Sequence, residues 1–116
     1  MLKISILGAA LVLVSQPTYS EPVKLTGAQI TKALSEHVFI SERDGQQAVQ
    51  LFKSNGATFY SAGPAQQQGT WQVKGDKYCS VWPPSENVAC YDVVADGPMI
   101  RFVSDSGKTS DWKLQQ

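Results

Sequence analysis

From Val38 onward the chain is broken at close intervals by turn dipeptides: Asp44-Gly45, Asn55-Gly56, Gly75-Asp76, Pro83-Pro84 and Asp96-Gly97. The runs between them are short and rich in β-branched and aromatic residues. Segments of that length suit strands rather than helices, and their spacing signals consecutive antiparallel hairpins. Strands are expected near 38–43, 47–53, 57–62, 69–74, 77–82, 88–95, 98–104 and 109–115, leaving the GPAQQQ stretch, Gly63 to Gln68, as a loop. Strands packed this densely along the chain can pair only with their neighbours. The expected fold is therefore all-β: an antiparallel up-and-down meander of about eight strands, curled into a barrel or half-barrel. Closure would remove the exposed edges that make flat sheets associate.

One helix is expected ahead of the strands. Thr26 with Gln29 three residues on is a capping box, and Leu25 can staple onto Ile30. The helix should run to about Glu36 and close one end of the meander, because its stripe of Ile30, Ala33 and Leu34 is too narrow to stand alone.

Turn positions also fix cross-strand partners. A two-residue turn at Asn55-Gly56 places Phe52 opposite Phe59 and Leu51 opposite Tyr60. One at Asp96-Gly97 pairs Tyr91 with Phe102, Val93 with Ile100, and Asp92 with Arg101. A three-residue turn over Asp105-Ser106-Gly107 brings Phe102 to Trp112 and Ile100 to Leu114. A turn at Gly75-Asp76 sets Trp71 against Ser80 and Val73 against Tyr78. If Pro83 to Glu86 form the next loop, Cys79 and Cys90 face each other and can form a disulfide. Trp71, Tyr78, Trp82 and Tyr91 then share the apolar face with Val73, Ala89 and Val93, while the cysteines lie on the opposite, more polar face. These four aromatics are the candidate binding face; spacing alone does not separate a core from a pocket.

The first 20 residues carry one cation, Lys3, an apolar run from Ile4 to Val14, and small residues at Thr18 and Ser20. That order reads as a secretory signal peptide spanning 1–20, and the apolar run of about eleven residues falls short of the roughly 20 that a spanning helix needs. Residues 21–116 are then a single β-rich domain, bound for the periplasm or the exterior of a bacterium. Two cysteines in an exported chain agree with one structural bridge.

Gly69-Thr70-Trp71 resembles the Gly-x-Trp signature of lipocalin-type and avidin-like barrels, where it lies on the first strand; here it sits mid-chain. Together with Gly75-Asp76-Lys77-Tyr78-Cys79 and the second cysteine, it also resembles small exported bacterial β domains of unassigned function. That resemblance covers about half of residues 21–116 and implies no catalytic residues.

Composition narrows the chemistry. Without Lys3, nine Lys and Arg stand against ten Asp and Glu, a net charge of −1. No basic cluster suits nucleic acid or an anionic membrane. A zinc or iron–sulfur site needs more soft ligands than two cysteines and His37 supply, and no C-x-x-C redox motif is present. Ser35 and Ser41 have no nucleophile elbow. The carboxylate pairs Glu42/Asp44 and Asp105/Asp111 flank turns, where acidic residues serve solvation. No catalytic residue, metal ligand or cofactor is expected. The favoured function is a non-enzymatic binding domain for a small apolar ligand or a protein, using Gly63 to Gln68, Pro83 to Val88 or a barrel mouth. An inhibitor of a secreted protease or lysozyme and a structural envelope component are the alternatives.

Overall fold

The computed structural model describes residues 21–115; the segment read as a signal peptide lies outside them. Nine strands and one helix follow in order: β1 (Val23–Lys24), α1 (Gly27–Leu34), β2 (His37–Arg43), β3 (Gln46–Phe52), β4 (Ala57–Ala62), β5 (Ala65–Lys74), β6 (Lys77–Val81), β7 (Ala89–Asp96), β8 (Met99–Ser104) and β9 (Thr109–Leu114). Strands β2 to β9 pair consecutively and antiparallel, and β2 also pairs with β9, so the meander closes into an eight-stranded barrel.

The register of β5 and β6 is the expected one, with Trp71 opposite Ser80 and Val73 opposite Tyr78. Cys79 faces Cys90 across β6 and β7, and the two are joined. Other turns correct the expected registers. The β3–β4 connection is a three-residue turn, because Lys53 and Ala57 close it and Gly56 takes the left-handed conformation at φ 97°. Leu51 therefore pairs with Phe59 and Phe52 with Thr58. A slip of one residue reverses the face of a side chain, and Phe59 lies outside, 40% exposed. The β7–β8 turn is Gly97-Pro98, with Gly97 at φ 61° and Asp96 opposite Met99. Partners shift by two positions, so the inward face is kept while Val93 meets Phe102 and Ala95 meets Ile100. Asp92 does not pair with Arg101 across the sheet, and Arg101 instead bonds Asp111 on β9. Asp105 to Gly107 form the expected three-residue turn, closed by Ser104 and Lys108, but the partners are Phe102 with Ser110 and Ile100 with Trp112.

Most of the expected loop from Gly63 to Gln68 is strand, from Ala65 onward. Gly63-Pro64 is a two-residue turn, with Gly63 at φ 58° and Ala62 opposite Ala65, and the three glutamines belong to β5.

One half of the barrel is filled. Phe52 is fully buried, with the rings of Phe39, Trp71 and Tyr78 edge-on at 5.9, 5.6 and 5.7 Å, an arrangement that suits the aromatic quadrupole. Eight strands leave an interior that side chains can just fill or that keeps room for one small cavity; here one half is filled and the other is not.

The helix seals the filled end. Thr26 forms the expected capping box with Gln29, and Ile30 and Leu34 are fully buried beneath the helix. It ends at Leu34, short of Glu36, because Glu36 adopts φ 63° and turns the chain into β2. The Glu36 amide donates to Phe52 O, and its carboxylate accepts from Lys53 Nζ and the Ser54 amide. Strand β1 completes the edge of β7 beyond the reach of β6: β6 pairs with residues 89–91, and Val23 and Lys24 take Ala95 and Val94. Leu25 then donates to Val93 O, which carries the chain over the rim and into the cap of the helix.

Candidate functional site

The end opposite the helix is open. There a cavity of about 310 Å³ enters the barrel, and every strand of the ring contributes to its wall. Arg43 comes from β2, Gln50 from β3, Tyr60 from β4, Gln67 from β5, Tyr78 from β6, Tyr91 from β7, Phe102 from β8, and Ser110 and Trp112 from β9; Trp82 follows β6 directly. The volume lies at the small end of the range that holds organic ligands.

Three of the four aromatics expected to form a binding face are in this wall: Tyr78, Trp82 and Tyr91. Trp71 is on the same face but deeper. It packs on Phe52 and its indole N–H donates to Lys53 O at 2.8 Å, so it belongs to the filled half. Cys79 and Cys90 are on the outer face, and their bridge clasps the base of the 82–88 connection that carries Trp82.

The aromatic wall consists of two clusters. Tyr60 stands edge-on between Trp82 and Trp112, with ring centroids 6.2 and 6.3 Å away, and the Arg43 guanidinium lies 5.9 Å from the centre of the Trp112 ring. Opposite, Tyr78 stacks on Tyr91 at 6.0 Å and leans on Phe102 at 4.8 Å. The glycine of the Gly69-Thr70-Trp71 run makes this wall possible. It faces inward, and a Cβ there would come 2.5 Å from Val81 O and 2.8 Å from the Trp82 ring. Trp82 lies across the space that any larger residue at 69 would fill.

Polar groups complete the lining. Gln50 is buried, and its Nε2 donates to Thr58 Oγ1 at 3.0 Å and to Tyr78 Oη at 3.5 Å. Burial raises the Tyr78 phenol to about 12, so it stays protonated over the physiological range. At the rim, Ser110 Oγ accepts from Arg43 Nη2 and from Trp112 Nε1, each at 2.7 Å. Phe102 and Trp112 extend the expected four-residue face along the apolar side of the sheet, whereas Arg43, Gln50, Tyr60, Gln67 and Ser110 were not expected in it. A polar residue that points into a barrel breaks the alternation by which inward positions are recognised. Tyr60 was hidden by the one-residue slip at Gly56.

His37 lies exposed at the start of β2, away from this mouth. Among the described residues no group of three or more His, Cys, Asp and Glu could hold a metal ion, and no helix is long and apolar enough to cross a membrane.

Fold and site thus define a disulfide-bridged, closed antiparallel barrel, plugged at one end and bearing an aromatic cavity at the other. No family model, no curated protein and no solved structure matches the chain.

Proposed function

We propose that this chain is an exported, non-enzymatic binding domain that takes a small ligand into the open mouth of its barrel. The observation that carries the reading is the division of the interior: one half packed solid around Phe52, the other left as a cavity of about 310 Å³ walled by Tyr60, Tyr78, Trp82, Tyr91, Phe102 and Trp112. Large rings with few rotatable bonds give contact area at low entropic cost, and the polar groups among them provide orientation. Export is supported by the signal-like order of residues 1–20 and by the Cys79–Cys90 bridge, which persists in an oxidising compartment.

The test is native mass spectrometry of the protein recovered from its own export compartment, followed by fluorescence titration with whatever small molecule it retains. Binding should quench or shift the emission of Trp82 and Trp112, and Tyr60→Ala should weaken it while the fold survives. A protein that retains nothing, and whose emission a broad library of small molecules leaves unchanged, would overturn the reading.

A further inference from the structure

Two hydrogen-bonding assignments at the mouth give its ligand a polarity. Thr58 Oγ1 donates to Leu51 O at 2.9 Å, so its single proton is committed and it meets the Gln50 side chain only as an acceptor. That fixes which end of the Gln50 amide is nitrogen. Nε2 serves Thr58 and Tyr78, and Oε1, on a side chain only 5% exposed, accepts from no protein donor among the described residues. A buried acceptor without a donor is costly. The inner part of the cavity therefore asks for a donor.

The rim has the opposite character. Ser110 Oγ has two lone pairs, and the Arg43 and Trp112 N–H groups occupy both. Its own proton is left to point elsewhere, and no acceptor within the described residues takes it. Arg43 spends one N–H on Ser110, and none of the ion pairs among the described residues involves it. Asp111, the neighbour of Ser110, is held by Arg101 on the outer face. Among the described residues no carboxylate lines the cavity, and Arg43 is the only charged one that does. The corner of Arg43 and Ser110 is thus donor-only and positive, beside the Trp112 ring.

We infer that the mouth selects an organic anion with a flat apolar body: its carboxylate is held at the rim by Arg43 and Ser110, its ring lies between the aromatic walls, and a hydroxyl at its far end donates to Gln50. Gln46, the cross-strand partner of Arg43, is four residues from Gln50 along β3, roughly 13 Å at 3.3 Å per residue. The Arg43 guanidinium, 2.7 Å from Ser110 Oγ and 5.9 Å from the centre of the Trp112 ring, takes up part of that span, and a single ring with a short acid chain suits the rest. This inference rests on the proposed ligand-binding mouth and adds the ligand's class and orientation.

Three probes test it by tryptophan fluorescence: 3-(4-hydroxyphenyl)propionate, its primary amide, and 3-phenylpropionate. The hydroxylated acid should bind about tenfold or more tightly than its amide, the size of one charge-assisted hydrogen bond. That preference should shrink as salt is raised. Arg43→Gln should bring the acid down to the level of the amide, and an unchanged melting temperature shows that the variant is folded. Gln50→Leu should abolish the advantage of the hydroxylated acid over 3-phenylpropionate. Equal binding of acid and amide by the unaltered protein would sink the anion assignment and leave the pocket standing, as would an acid preference that survives Arg43→Gln. If none of the three binds, the anion assignment falls, and the fate of the pocket itself rests on the retained-ligand experiment.

Discussion

The amide of Gly27 donates to Asp76 Oδ1 at 2.7 Å, so the first turn of the helix sits directly on the β5–β6 turn. The approach is close enough that a Cβ at position 27 would collide with the carbonyl oxygen of Gly75. Gly27→Ala must lift the helix or shift the turn, and overpacking against backbone costs about 1–3 kcal/mol. Urea denaturation should show that loss, and Asp76→Ala, which removes only the hydrogen bond, should cost less. An unchanged midpoint for Gly27→Ala would mean that the helix is not seated as described.

Reduction of the bridge affects stability before architecture. Cys79 and Cys90 close a loop with a sequence separation of 11, for which the chain-entropy account gives roughly 3 kcal/mol, on the order of 10–25 °C in melting temperature for a domain of this size. The double Cys79→Ser, Cys90→Ser variant should melt lower by that amount and keep its far-ultraviolet dichroism.

Acid should act through Glu36. Its hydrogen bonds from Lys53 and the Ser54 amide lower its pKa from 4.5 to about 2. A carboxyl that is more acidic folded than unfolded stabilises the fold above its unfolded pKa, and that contribution is lost as pH falls from about 4.5 to about 2. Asp111, lowered by Arg101, and Asp92, lowered by Lys77, titrate with the same sign. Glu36→Gln should therefore be less stable than the native protein at neutral pH and show a shallower acid limb, measured as melting temperature against pH.

Truncating Phe52 removes the ring on which Phe39, Trp71 and Tyr78 converge. Phe52→Ala should cost about 3–5 kcal/mol. Gly69→Ala should instead act on the mouth: by displacing Trp82 it should weaken ligand binding and alter the indole emission. Comparing the two variants separates the filled half of the barrel from the open half.

The residues that were legible from the chain alone are those whose turn and pattern agree. Gly75-Asp76 is a two-residue turn flanked by clean alternation, so the partners of Trp71 and Val73 follow from counting, and those of the cysteines follow from the next loop. Asn55-Gly56 looks the same in the sequence, but Gly56 is the left-handed third residue of a longer turn, and a single added residue sends Phe59 outward and Tyr60 inward. The run Gln66 to Gln68 resembles a loop because its one inward residue, Gln67, is as polar as its two outward ones; Gln67 faces the mouth where the barrel is not filled with hydrocarbon. Arg43, Gln50 and Ser110 were hidden for the same reason. The site's polar half could not be read from hydrophobic periodicity because its chemistry consists in violating it.

The joint between β2 and β9 is short: its backbone pairs are Phe39 with Leu114 and Ile40 with Lys113. Toward the mouth the bridging passes to side chains, from Ser41 Oγ to Asp111 O and from Arg43 to Ser110. Every other neighbouring pair in the ring is joined by a tight turn or by the sulfur clasp, so this is where the cylinder should part first when it breathes. A guest gripped by Arg43 and Ser110 would lie across that splice, and its departure rate and the opening of the wall would then be one motion seen from two sides.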